Sequence, residues 1–220
     1  AQESRGLGDV YKRQHLGAAR LDDIHDERFD FQRVLTECHA LFAELQLGQD
    51  APRLIVAGGV GSHDQVRHWL ANGADGVQVG TAFAVTREGD AHENFKRVLM
   101  DADPADLAEF TSVAGLPARA VATPWLTRYL RQEKTLQAGT RADPRRCSQR
   151  MDCLTQCGLR DGLSRFGQFC IDLKLAAALR GEVSRGLFFR GASKLPFGGA
   201  MRSVRELMDY LLHGQMPAAA

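Results

Sequence analysis

An α/β fold with parallel strands is predicted by three features of the stretch Leu54–Thr81, LIVAGGVGSHDQVRHWLANGADGVQVGT. The first is a short apolar run, Leu54 to Ala57, of the kind found in strands buried on both faces. The second is an intervening helix. Ser62 and Gln65 have capping-box spacing, Val66, Trp69 and Leu70 share one face, and Gly73 is placed to end it. The third is a second short strand at Val77 and Val79, closed by Gly80 and Thr81. Each strand runs into glycine: Gly58, Gly59 and Gly61 after the first, Gly80 after the second. Glycine there lets the backbone turn sharply or approach another group closely.

The remaining elements follow in chain order. Phe31, Val34, Leu35, Cys38, Leu41, Phe42 and Leu45 fall at helical spacing and predict an amphipathic helix. Pro52 precedes the Leu54 strand, giving the helix-then-strand order of an α/β unit. Ala82 to Val85 read as a continuation of the second strand, Ala91 to Met100 as a helix, and Asp106 to Phe110 as a further short helix. Ser112 to Leu126, SVAGLPARAVATPWL, reads as an irregular connection, and the polar, basic run Gln132 to Arg150 as a linker. Ile171 to Leu179 predicts a helix. Ser203 and Glu206 form a second capping box ahead of a terminal helix carrying Val204, Leu207, Leu211 and Leu212 on one face.

Two parallel strands that both end in glycine present backbone N–H groups at one end of a sheet. That makes an anion cradle, and phosphate is its usual occupant. Gly58, Gly59, Gly80 and Thr81 are the candidate phosphate contacts, with Gln78 beside them at the end of the second strand. The competing reading is a strand–helix–strand unit whose glycines only make turns. Two successive glycine turns favour the anion, since barrel enzymes bind phosphate between the loops after strands seven and eight.

GGVGS followed by GADGVQVGT resembles the flavin-mononucleotide barrels. VQVGTAF with the downstream GLPARA is similar to the nitronate monooxygenase (2-nitropropane dioxygenase-like) family in particular. The resemblance implies the C-terminal half of a (β/α)8 TIM barrel from residue 15 to about 130, holding FMN. A mainly helical, cysteine-containing C-terminal extension would occupy 131–220. Ser4 to Gln14, SRGLGDVYKRQ, matches without a break the translation of a transposase sequencing adapter, whose end GATGTGTATAAGAGACAG encodes Asp9 to Gln14. Residues 1–14 are therefore expected to be a non-native tail. A complete barrel of this kind needs roughly 250 residues or more, so the chain is expected to lack its first strands and to be inactive by itself.

His15 is the candidate catalytic residue. His15-Leu16-Gly17 resembles the end of the family's Gly-Gly-His-x-Gly motif, whose histidine stands beside the flavin and acts as base toward a carbon acid. An imidazole titrates near neutral pH and can take an α-proton from a nitroalkane. Alone, a histidine at such a position reads as a solvated side chain.

Cys147, Cys153, Cys157 and Cys170 are spaced x5, x3 and x12. Four thiols in a short stretch suit zinc or an iron–sulfur cluster, although no C-x2-C pair is present. Packing as reduced thiols is the other reading, and Cys38 reads as core. GLFFRG, Gly186 to Gly191, is a strand-like run that could cover the flavin or line an entrance.

The net charge of +1 implies no general attraction to nucleic acid or acidic membranes. No apolar run has the length of a membrane span, and five cysteines in a chain of ordinary composition argue against a secreted disulfide framework. A cytoplasmic enzyme is expected. The resemblance implies oxidation of alkyl nitronates or nitroalkanes with molecular oxygen. The alternative is an NAD(P)H-dependent flavin reductase of enoyl thioesters, which shares the glycine turns and the histidine.

Overall fold

The computed structural model describes residues 16–141, 144–148 and 153–218. In chain order its elements are α1 (Phe31–Glu44), β1 (Ile55–Ala57), α2 (His63–Ala71), β2 (Gly76–Gln78), α3 (Thr81–Ala84), α4 (Glu93–Asp101), β3 (Leu107–Thr111), β4 (Pro117–Val121), α5 (Pro124–Ala138), α6 (Ile171–Leu179) and α7 (Val204–His213). They fall into two compact units. One joins 24–89 to 193–218, and the other joins the described parts of 16–23 and 90–192.

In the first unit β1 and β2 pair in parallel, Ile55 with Gly76, Val56 with Val77 and Ala57 with Gln78. The crossover between them is α2. Ser62 accepts the Gln65 N–H at 3.2 Å to open it, and Gly73, at φ 98°, follows its last turn. The capping box and the glycine stop both fall where the sequence places them. The chain then returns: α7 starts at Ser203, which accepts from the Glu206 N–H at 3.2 Å, and α7 packs on α2. Leu207 and Leu211 of α7 join Leu35, Val56, Val66, Ala74 and Ala82 in one buried cluster.

Two expectations need correction in this unit. β1 is not buried on both faces: Val56 is 4% exposed, but Ile55 is 54% exposed and Ala57 is open as well. Among the described residues β1 pairs only with β2, so its other edge is open. Ala82 to Val85 do not extend β2. Gly80 turns the chain into the short helix α3, with the Phe83 and Ala84 N–H groups donating to its carbonyl at 3.0 and 3.1 Å. The helix expected over Phe31–Leu45 is present as α1, with Leu35 buried and Leu41 and Leu45 exposed.

In the second unit β3 and β4 form an antiparallel hairpin, where a short helix and an irregular connection were expected. The Glu109–Arg119 pair, directly opposed, is joined by a 3.0 Å charge-assisted hydrogen bond from Arg119 Nε. Gly115, at φ 81°, supplies the left-handed residue of the connecting turn, and its N–H donates to the Ser112 carbonyl at 3.0 Å. The small side chains of Ala118 and Ala120 are fully buried and let the core approach β4 closely. The region expected to be a linker from Gln132 begins inside α5, which continues to Ala138. GLFFRG runs along β4: Phe189 bridges Ala120, and the Val121 N–H donates to the Phe188 carbonyl at 2.9 Å. Leu187 and Phe188 are fully buried, so this run is core of its unit.

Candidate cofactor site

Because β1 and β2 are parallel and Ala57 is level with Gln78, both glycine turns leave the strands at the same edge. Gly58 and Gly59 have φ of 113° and 69°, conformations that side-chain-bearing L residues rarely adopt. Gly80 has φ −114°, and a Cβ built on it would meet nothing within 4 Å. Its glycine is therefore not required by the local backbone. It leaves open space at the end of β2.

The N–H groups divide into used and available donors. Gln65 Oε1 reaches back to accept from the Gly61 and Ser62 N–H groups at 2.9 and 3.2 Å, so the start of α2 is capped by its own side chain. Gly59 and Gly80 are exposed, and their N–H groups donate to no partner among the described residues. Two unpaired donors, one from each strand end, are what an anion would neutralise. Thr81 is the first residue of α3 and half-buried. Gln78 ends β2, also half-buried.

One contributor was missed from sequence. The Ser193 hydroxyl donates to the Gly59 carbonyl, fixing the peptide that follows the left-handed pair. A Cβ on Gly61 would stand 3.3 Å from the Lys194 carbonyl, so the 193–194 backbone lies directly against the turn. Nothing local marks Ser193, which lies 134 residues beyond its partner.

His15 lies outside the described residues, as does the 1–14 tail. The next residue, Leu16, donates its N–H to the Pro117 carbonyl at the start of β4, at 3.0 Å. Other histidines serve as structural bonds: His63 Nδ1 donates to the Leu211 carbonyl at 3.0 Å, and His39 Nε2 donates to that of Gly73 at 2.8 Å.

The four cysteines gather in the core of the second unit. Cys157 and Cys170 are buried, and Cys147 and Cys153 pack against the same cluster. All are free thiols. Burial pushes the Cys153 thiol up, and the neighbouring Cys157, Cys170 and Cys147 add to the effect. Among the described residues no three His, Cys, Asp or Glu side chains are placed to hold a single metal ion. Among the same residues no helix is long and apolar enough to cross a membrane.

Comparison with known proteins adds to this geometry. The profile of the family described as "Nitronate monooxygenase" matches residues 29–212. The chain is similar to a probable nitronate monooxygenase of Bacillus subtilis (strain 168), 37% identical over 73 residues that cover 33% of this chain and 21% of that protein. It is similar to a putative nitronate monooxygenase of Saccharomyces cerevisiae, 32% identical over 79 residues covering 36% and 19%. The matches thus span about a fifth of the length of these curated relatives. Among solved structures, FabK from Thermotoga maritima, a TIM barrel, superposes with a TM-score of 0.50 and 21% identity, over 73% of this chain and 43% of FabK. A nitroalkane oxidase from Streptomyces ansochromogenes gives 0.45 and 22%, over 78% and 42%.

Proposed function

This chain belongs to the nitronate monooxygenase family, and on that premise we propose that it forms the phosphate-holding part of an FMN-dependent oxidoreductase that oxidises alkyl nitronates or nitroalkanes with molecular oxygen. The single observation that carries the reading is the pair of exposed, unpaired N–H groups at Gly59 and Gly80, brought to one edge by the parallel pairing of β1 and β2. The residues fit a phosphate: two unpaired donors stand at the same end of the paired strands, the left-handed Gly58–Gly59 pair allows close approach, and the space at Gly80 is open. FMN, when bound, supplies the electron acceptor for the carbon acid and the route to oxygen.

The chain's own part is binding and proton handling. Gly59 and Gly80 donate to the phosphate, and Thr81 and Gln78 line the same edge. Ser193 donates to the Gly59 carbonyl and so restrains the peptide that follows it. His15 takes the α-proton of a neutral nitroalkane, a role for which an imidazole is suited near neutral pH. The uncovered face of β1, with Ile55 54% exposed, supports a place inside a larger closed barrel, where strands are covered on both sides.

The test is made on the full-length protein carrying this sequence. Flavin content is measured first, then oxygen uptake with a propyl nitronate, and separately NADH-driven reduction of an enoyl thioester. Stoichiometric FMN with nitronate-dependent oxygen uptake is expected. Absence of flavin after reconstitution removes the cofactor reading. Thioester reduction without nitronate oxidation assigns the reductase activity instead.

A further inference from the structure

The segment that returns to the first unit after residue 192 carries a lysine, Lys194, against the glycine turn that follows β1. Its backbone is held on both sides. The preceding Ser193 donates its hydroxyl to the Gly59 carbonyl. The following Leu195 and Phe197 pack on the core cluster that contains Val56 and Val66, and the Phe197 ring meets Tyr210 edge-on with centroids 5.4 Å apart. The Lys194 carbonyl itself lies 3.3 Å from where a Cβ on Gly61 would stand. Between these anchors Lys194 is exposed.

The charge of Lys194 is uncommitted. It is the only lysine in residues 24–89 and 193–218. Arg28, Arg33, Arg53, Arg87 and Arg202 of the same unit each pair with a carboxylate, whereas among the described residues Lys194 pairs with none. Arg67 and Arg205, also without a carboxylate there, are carried by α2 and α7 and not by the segment against the turn.

A phosphate monoester at the turns needs such a charge. It carries up to about two negative charges at neutral pH, and the Gly59 and Gly80 N–H groups offer only partial charges against them. The start of α2 adds little, because its Gly61, Ser62 and Gln65 N–H groups are taken by the Gln65 and Ser62 side chains. His63 is tied to the Leu211 carbonyl through Nδ1, and the exposed Asp64 beside it has the wrong sign. Lysine carries its ammonium on a flexible four-carbon stem, which suits it to reach an anion seated on the turn against which its backbone lies.

Resting on the cofactor reading above, we propose that Lys194 is a phosphate-binding residue, whose ammonium neutralises the anion held by the Gly59 and Gly80 N–H groups.

The experiment uses the full-length protein carrying this sequence, freed of flavin and titrated by fluorescence with FMN and with riboflavin, which lacks the phosphate. Wild type should bind FMN more tightly than riboflavin. Lys194→Met should weaken FMN binding by about tenfold and leave riboflavin binding unchanged, which also shows that the variant folds. Raising the salt should narrow the loss. Lys194→Arg should retain most of the affinity, since a guanidinium also binds phosphate. Arg53→Met removes a charge from the opposite end of β1 and should alter neither affinity. The outcomes separate the two claims. If wild type prefers FMN and Lys194→Met keeps that preference in full, loses both flavins equally, or loses no more FMN affinity than Arg53→Met, Lys194 does not bind the phosphate and the glycine cradle stands. If wild type binds the two flavins equally, the cradle itself is wrong and the role of Lys194 falls with it.

Discussion

Gly80→Asp isolates the proposed phosphate contact from the stability of the fold. The position accepts a side chain: its φ of −114° suits an L residue, and no atom lies within 4 Å of the new Cβ. Gly80 is also the N-cap of α3, where aspartate is a favoured residue. The folded state should therefore lose little or nothing, within the ±0.5 kcal/mol or so typical of neutral surface changes. The effect on an anion is different. Two unit charges about 5 Å apart repel by roughly 3 kcal/mol at an effective dielectric of about 20, and by about 0.8 kcal/mol in bulk water. A phosphate monoester carries up to about two negative charges at neutral pH, which doubles either figure. Even the lower limit corresponds to at least about tenfold in Kd, and the intermediate values to a hundredfold or more. The assay is fluorescence titration of the flavin-free protein with FMN and, separately, with riboflavin, which lacks the phosphate. FMN binding should weaken by at least about tenfold, riboflavin binding should hardly change, and raising the salt should narrow the gap. An FMN affinity unaltered by the substitution, or an equal loss for both flavins, would refute the placement of the phosphate at Gly80.

Two further outcomes are expected. His15→Ala should spare flavin binding but lower turnover of neutral nitroalkanes by about 10²–10⁴-fold, with a smaller loss for pre-formed nitronates; equal losses for the two substrate forms in steady-state kinetics would remove the base role. Asp75 ties β1 to the turn before β2: its carboxylate accepts from the Leu54 N–H at 2.8 Å and pairs with Arg53 at 2.8 Å, and these, the backbone bond first, hold it below its ordinary value of 3.8. A lowered carboxylate stabilises the fold above its unfolded value and ceases to do so as pH falls through the folded one. Asp75→Asn should accordingly be less stable than wild type in urea at pH 7, and the difference should shrink as the pH drops below 3.8; a gap independent of pH would assign the loss to geometry instead of charge.

What the sequence made legible was written in short-range chemistry. Ser62 and Gln65, and again Ser203 and Glu206, are three residues apart, and each pair forms its capping box as read. Ile171–Leu179 is helical over the residues the sequence indicates, because an apolar, helix-favouring run needs no distant partner to define it. The hairpin was not legible for the opposite reason. Leu107–Thr111 and Pro117–Val121 mix strand-favouring Phe110, Thr111 and Val121 with alanine, arginine, glutamate and proline, and the hairpin is stabilised by pairing Glu109 with Arg119 and by burying Phe110. Propensity is a weak prior there, and tertiary packing overrides it.

The candidate site divides along the same line. Gly58 and Gly59 could be singled out because a left-handed backbone is a property of one residue and its immediate neighbours. Which N–H groups remain available could not be read that way. The Gly61 and Ser62 donors look as suitable as those of Gly59 and Gly80 until Gln65 is seen to occupy them. The same Gln65 that marks the helix start in sequence thus removes two donors from the cradle. Ser193 is further from reach, since its bond to the Gly59 carbonyl exists only because the chain returns to the first unit after residue 192. A residue acting across such a separation leaves no periodic or spacing signal in a single sequence. The proposed anion site therefore draws on the return segment as well as on β1 and β2, and a chain cut before Ser193 would keep both glycine turns while losing the bond to the Gly59 carbonyl.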